Sequence, residues 1–251
     1  MFLAGTIPSA PPPDETEMTR AAELEGFLRS AEVVDVKKEI SGGRSRPWVV
    51  TLARGAVRHR ALFKHFDYRR PQPQPHSYKY ELAAYELAKL LAVEIVPPVI
   101  ERKIEGRTGS LQIFIENCVS EQDRRRKKLE PPDPIAFGKV LDGVRVFESL
   151  VNDECLNYGD LLVHIDDWRL CRVDLSEAFG PEPELRYGCP ITVCSRQLFD
   201  GLLKLDGKSV KSALKSYLSD PEIKAIMTRR DLLLKTLKAL IAEHGEASVL
   251  F

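Results

Sequence analysis

Apolar and polar residues alternate along the first half of the chain with the two-residue period of half-buried strands, and the period lengthens to that of helices later on. Val33–Ile40, Trp48–Leu52 and Arg60–Phe66 read as strands. Ser41-Gly42-Gly43 supplies a hairpin turn between the first two, and the Pro-Gln-Pro-Gln-Pro-His run of residues 71–76 stops the third. Tyr78–Leu91 predicts a helix, with Leu82, Tyr85, Leu87, Ala88 and Leu91 on or near one face. Val96-Pro97-Pro98-Val99 ends it. Val99–Ile104 and Leu111–Ile115 then flank a second hairpin signal, Glu105-Gly106-Arg107-Thr108-Gly109. The first half thus reads as three strands, a helix and two strands.

After Cys118 the pattern changes. A charge run, Glu121–Lys128, and a proline-rich break, Glu130–Pro134, precede an apolar helix over Ile135–Val151. Two short strand-like runs follow, Leu161–His164 and Arg169–Val173, and Ser195–Glu243 is mostly helical with amphipathic spacing. Residues 1–20, rich in Pro, Thr, Ser and Glu, bury too little apolar surface to offset the entropy of ordering and read as a flexible tail. A short helix is expected around Ala21–Arg29. The expected division is a tail over 1–20, a first lobe over 21–118 and a second over 119–251, in an α+β fold.

Composition narrows the function classes. Among 251 residues, Lys plus Arg and Asp plus Glu both number 37, so no global basic field favours nucleic acid. No apolar run approaches the roughly 18–20 residues of a membrane helix, and the start lacks the basic and long apolar regions of a secretory signal. The cysteines, Cys118, Cys155, Cys171, Cys189 and Cys194, form no CxxC pair. Their odd, scattered set argues against a disulfide framework or structural zinc and points to free thiols in a reducing cytoplasm. No GxSxG or GxxxxGK[ST] motif is present.

Charge is nonetheless segregated. From Arg54 to Lys79 there are seven Lys or Arg and one Asp; between Asn152 and Glu184 there are nine Asp or Glu and two Arg. Lys64 ends an apolar strand, and a lysine there that faces a cleft would neutralise phosphate. Glu81, near the start of the next helix, would anchor its flexible side chain. Asp160 precedes one short strand and Asp174 follows the other, a pair suited to Mg²⁺, a hard cation held by one or two carboxylates, phosphate and water. Taken singly each residue has an ordinary reading as a solvated charge. Arg124-Arg125-Arg126-Lys127-Lys128 reads as a solvated loop, with contact to phosphate or anionic lipid as the alternative.

Over roughly residues 30–245 these segments resemble a bacterial branch of the atypical kinases, related to phosphoinositide lipid kinases and toxin-type serine/threonine kinases. The resemblance is carried by Ser77–Leu87, Val96-Pro97-Pro98-Val99, Gly109-Ser110-Leu111-Gln112, the stretch from Trp168 to Phe179, and Arg229-Arg230-Asp231. It implies a two-lobed protein-kinase-like fold: an antiparallel sheet with one helix, then a mostly helical lobe. It implies ATP and Mg²⁺ as cofactors, with Lys64 on phosphate, Glu81 as its partner, Glu116 to Cys118 as the hinge meeting adenine, and Asp174 on metal. The catalytic loop departs from the family's Asn-x-Asp-Arg-x-x-Gly-Asn. Here Asp153-Glu154-Cys155-Leu156-Asn157-Tyr158-Gly159-Asp160 puts Cys155 at the catalytic Asp, Leu156 at the Arg and Asp160 at the metal Asn. A thiol of ordinary pKa about 8.5 is a poor substitute for the anion that orients a hydroxyl.

Three functions follow from the resemblance. One is a pseudokinase that binds nucleotide or regulates a partner, favoured by Cys155 and Leu156. Another is an ATP- and Mg²⁺-dependent phosphotransferase with Asp153 or Glu154 as a displaced base, acting on a protein, lipid or small-molecule acceptor that the sequence does not identify. The third is nucleotidyl transfer, with ATP in another orientation.

Overall fold

The structure, a computed structural model, describes residues 15–38, 46–69 and 75–251. Helix α1 (Glu15–Ser30) begins inside the segment read as tail and buries Phe27 and Leu28 in a first core. Strands β1 (Glu32–Lys37), β2 (Trp48–Arg54) and β3 (Val57–Lys64) follow. The period-two pattern turns Trp48, Val50 and Leu52 of β2 and Ala61 and Phe63 of β3 into that core. The expected Gly42-Gly43 turn, residues 71–74 of the proline loop and residues 1–14 of the tail lie outside the described residues. The loop is flanked by a short pair, β4 (Asp67–Tyr68) and β5 (His76–Ser77).

Helix α2 (Tyr78–Leu90) starts at Ser77, whose hydroxyl accepts from the Lys79 amide at 3.1 Å. It is buried nearly all round because it packs on strands on one side and on a later helix on the other. The hairpin β6 (Val99–Ile104) and β7 (Arg107–Ile113) turns at Glu105-Gly106, both at positive φ (46° and 79°), as a two-residue turn of the primed type demands. Among the described residues, five strands make one antiparallel sheet in the order β1-β2-β3-β7-β6.

The second half opens with β8 (Cys118–Ser120) and α3 (Glu121–Lys127). The charge run read as a loop is therefore a short helix. Ser120 caps it, and the fully buried Glu121 pairs with Arg124 and Arg125. Helix α4 (Pro134–Val151) carries the apolar stripe seen in the sequence, and Asn152 caps its C-terminus at φ 56°. Strands β9 (Leu161–His164) and β10 (Leu170–Arg172) pair antiparallel, with β8 on the far side of β9. The chain ends in α5 (Arg196–Lys204), α6 (Gly207–Leu214), the long α7 (Asp220–His244) and the turn α8 (Glu246–Val249). The largest core joins α2 to α4, α5, α6 and α7, so α2 belongs to both halves. The α+β architecture expected from the sequence is the one observed. No helix among the described residues is long and apolar enough to cross a membrane.

Arg229, singled out in the sequence, does structural work. Fully buried on α7, it donates to the carbonyls of Leu150 at 2.8 Å, Gly180 at 3.0 Å and Glu182. It thereby ties α7 to the end of α4 and to the segment after Asp174. Arg229→Met strands these buried carbonyls and should cost about 3 kcal/mol or more. Urea unfolding measures this; a loss below about 1 kcal/mol would show that water or relaxation satisfies them.

Candidate functional site

Lys64 is the last residue of β3 and lies opposite Ser110 of β7. The approach of the two strands needs Gly109, since a Cβ there would run into the Lys64 carbonyl and the Phe63 ring. Glu81 sits in the first turn of α2, fixed by the Ser77 cap. The Lys64 Nζ donates to Glu81 Oε1 at 2.5 Å and to Asp174 Oδ1 at 2.7 Å. The ammonium and Glu81 are buried, whereas the Asp174 side chain is 42% exposed and faces solvent. Burial works against the charge on Lys64, but Glu81 and Asp174 outweigh it and raise the ammonium's pKa above its usual value. The basic front half and the acidic rear half thus meet directly.

The rear half is built on β9 and β10. Arg172 pairs with Leu161, and the Val173 amide donates to the Asp160 carbonyl at 2.9 Å. This places Asp160, just before β9, beside the chain that leaves β10 into Asp174. Asp174 itself sits at φ 56°, an uncommon conformation for a non-glycine residue and one that turns its carboxylate toward Lys64. The Ser176 hydroxyl donates to the same oxygen at 2.8 Å and lies 3.2 Å from His76 Nδ1. Burial alone would raise the Asp174 carboxyl, but the Lys64 charge and the hydrogen bonds from Lys64 and Ser176 hold it down at about 2. Asp160 goes the other way, pushed up to about 6 by burial and by the negative charge of Asp174, against the pull of Arg172 and Lys64.

Among the described residues no three His, Cys, Asp or Glu side chains converge on one metal position. Two buried or half-buried carboxylates, of which Asp160 is raised by burial first and by Asp174 second, are what a hard divalent cation relieves when phosphate and water complete its shell. The donor set of Asp160 and Asp174 fits such an ion.

The loop between α4 and β9 differs from expectation in its cysteine. Cys155 is bonded to Cys189, 34 residues further along the chain. The reading of all five cysteines as free thiols is corrected: sequence spacing gave no sign of a pair that only tertiary folding brings together. Cys118, Cys171 and Cys194 are free. Cys155 therefore carries no titratable proton while the bond stands, and the Arg145 guanidinium lies 3.6 Å from its sulfur. Asp153 is buried and ion-paired to Arg172, and burial raises its carboxyl in spite of that partner. Glu154 is exposed, with Asn157 Nδ2 at 3.3 Å. Leu156, at φ 47°, donates its amide to Glu148 Oε2 at 2.8 Å.

Glu116 and Cys118 lie where β7 passes into β8. Glu116 is half exposed and takes a forked pair from Arg60, at 2.9 and 2.5 Å, which lowers its carboxyl's pKa. The Cys118 thiol donates to the Ile115 carbonyl at 3.2 Å, and the Ile165 amide to the Asn117 carbonyl at 3.0 Å. This crossing joins the sheet to the second half. In the basic run, Arg124 and Arg125 are bound to Glu121, and Arg125 stacks over Tyr158.

Sequence reasoning missed Arg172, Glu148, Ser176 and His76. A signal existed for the first two: Arg172 occupies an inward position of β10, and Glu148 lies seven residues after Leu141 on the buried stripe of α4. A charge on a core face is seldom kept without a partner. Two surface grooves, one lined by Glu184, Leu185 and Leu232 and another by Leu90, Asp206 and Ser209, share no lining residue with this cluster. The site is identified by convergent polar chemistry, not by concavity.

No family model matches the sequence, and no curated protein matches it. Solved structures do match. The crystal structure of the Helicobacter pylori proinflammatory kinase CtkA is 11% identical, with a TM-score of 0.56 over 86% of this chain and 98% of that one. The open conformation of CtTel1 is 12% identical over 87% of this chain and 12% of that one; its TM-score of 0.45 supports no structural inference. The chain has a two-lobed kinase-like fold.

The depressed Asp174 carboxyl has a consequence for acid stability. Because the folded value lies below the unfolded one, its contribution is present above about pH 4 and lost as the pH falls toward 2. Discounted for exposure, the pair contributes on the order of 1 kcal/mol. Urea midpoints of wild type and Asp174→Asn should differ at neutral pH and converge in acid. Curves that stay parallel would mean the ion pair with Lys64 adds nothing.

Proposed function

We propose that this chain is a kinase-like domain that binds a nucleotide's phosphates and a divalent cation at the Lys64–Asp174 cluster and transfers phosphoryl groups slowly or not at all. The observation that carries this reading is the contact of Lys64 Nζ with both Glu81 and Asp174, set against a disulfide at the loop position where the resemblance puts the catalytic Asp. Lys64, kept charged by Glu81, would hold a phosphate oxygen. Asp160 and Asp174 would hold Mg²⁺, which when bound neutralises charge on the phosphates. On binding, Asp174 would exchange Lys64 for the cation and Lys64 would turn to phosphate. The backbone from Glu116 to Cys118 would meet the base. These assignments rest on the resemblance together with the geometry.

Neither Cys155 nor Asp153 is free to accept the proton of an attacking hydroxyl. Cys155 is bonded to Cys189, and Asp153 faces Arg172 from a buried position. A carboxylate so paired is oriented toward the guanidinium and is badly placed to orient a substrate. Glu154, exposed and without a strong partner among the contacts described above, is the one neighbouring carboxylate suited to the second reading, an active kinase with a displaced base. The expectation of a reducing cytoplasm rested on unpaired cysteines; with Cys155 and Cys189 bonded that ground is gone.

Two measurements test the proposal. A thermal shift with ATP and Mg²⁺ should stabilise the protein by about 2.7 kcal/mol at a ligand concentration near 100 Kd, and Lys64→Met and Asp174→Ala should abolish the shift. An unshifted wild type would sink the nucleotide reading. With γ-labelled ATP, wild type should transfer little or no label, and Cys155→Asp should raise transfer. Robust wild-type transfer that is lost in Glu154→Gln would establish the displaced-base kinase instead, and transfer of an α label would indicate nucleotidyl transfer.

A further inference from the structure

Arg172 is among the largest fully buried side chains of the molecule, 1% exposed, and it stands two residues before Asp174. Its guanidinium has partners on every side. Nε donates to Glu148 Oε1 of α4 at 3.1 Å, and Nη2 donates to Asp153. Nη1 donates to the Val173 carbonyl and lies 3.4 Å from the Asp160 carbonyl and 3.7 Å from Asp160 Oδ2. Glu148 uses its other oxygen to accept the Leu156 amide. One cation thus joins the C-terminal turn of α4, both ends of the loop from Asp153 to Asp160, and the peptide leading into Asp174.

We propose that Arg172 is a positioning residue for cation binding: its fork fixes the separation of the Asp160 and Asp174 carboxylates by gripping the backbone next to each. The inference rests on the reading of Asp160 and Asp174 as the metal side of the site. The fork geometry matters. A lysine carries the same charge but as a single point, and it cannot satisfy Glu148, Asp153 and two carbonyls at fixed angles. A merely structural role predicts that loss of Arg172 lowers stability and leaves the folded protein's preference among cations intact. A positioning role predicts a change in cation binding by molecules that are still folded. Small octahedral Mg²⁺ is sensitive to ligand spacing and the larger, adaptable Ca²⁺ is not, so the ratio of the two affinities reports the spacing. Partners that orient metal ligands typically contribute 10–100-fold to affinity.

The test uses the full chain with ATP and Mn²⁺, reading free Mn²⁺ by its paramagnetic resonance signal at a temperature where circular dichroism shows the variant folded. Mn²⁺ is then displaced with Mg²⁺ and with Ca²⁺. Arg172→Lys should weaken Mn²⁺ about tenfold or more and shrink the preference for Mg²⁺ over Ca²⁺. Asp153→Glu, which keeps the charge and lengthens one anchor by a methylene, is the second variant and should weaken Mn²⁺ severalfold. If wild type binds Mn²⁺ with ATP and either folded variant matches it in affinity and in cation preference, the positioning role is overturned and the site reading stands. If wild type binds no Mn²⁺ with ATP, the site reading itself fails and the inference falls with it.

Discussion

Everything at this site depends on one buried ammonium. Lys64 and Asp174 are 110 residues apart in sequence and 2.7 Å apart in space. A lysine removed from water is costly unless its charge is met. Here Glu81 meets it from α2, which packs on the sheet and on the later helices, and Asp174 meets it from the exit of β10. The pairing is asymmetric: Glu81 is almost wholly buried, whereas Asp174 opens to solvent. The buried partner is a permanent anchor. The exposed one can be exchanged for another ligand at small cost, because its carboxylate can be solvated or metallated once released. An ion pair with one fixed and one replaceable partner would suit the proposed phosphate-binding role of Lys64 better than two buried partners.

Around that pair the charges do not balance. Among the described residues, Glu81, Glu148, Asp153, Asp160 and Asp174 are ion-paired to two cations, Lys64 and Arg172. The excess appears in the titration of the carboxyls. Burial, with Asp153 adding and Arg172 opposing, pushes Glu148 up to about 7; burial and Asp174 raise Asp160 as well, whereas Asp174, gripped by Lys64, is lowered. Such a cluster is held together by Lys64 and Arg172 and by the backbone that positions each carboxylate. Glu148 is fixed by α4, Asp160 and Asp174 by the β9–β10 ladder, and Asp153 by the turn that follows the Asn152 cap. Packing energy from the large core offsets the repulsion, a usual arrangement where chemistry requires like charges in one place.

Much of this was legible in the sequence, and the limits have physical causes. Periods of two and 3.6 exposed every strand of the main sheet and most of the long helices, but not the first turns of α1, whose polar sequence read as tail. The meeting of Lys64 with Glu81 and Asp174 was suggested by charge segregation and by the resemblance together, since each charge taken singly had an ordinary solvated reading. The strand β8 was not legible, since three residues carry too little period. Helix α3 was hidden because its stability comes from a cap and from ion pairs to Glu121, not from an apolar face. The Cys155–Cys189 bond was invisible for a different reason: pairing depends on where two loops meet, and spacing along the chain does not encode that.

Arg172 marks the boundary between the two kinds of information. Its inward position on β10 is a sequence fact, and a charge at a core position implies a partner. Which partner is a matter of topology alone: Glu148 arrives from α4 and Asp153 from the following turn because β9 and β10 fold back beneath both. The same topology commits the Asp153 carboxylate to the Arg172 guanidinium. A carboxylate that completes a buried guanidinium network has its geometry set by that network, and a group cannot both hold the frame and move with a substrate's proton. On the proposed reading, the loop's want of a base at the expected position would thus follow from how Asp153 is used as well as from the Cys155–Cys189 bond.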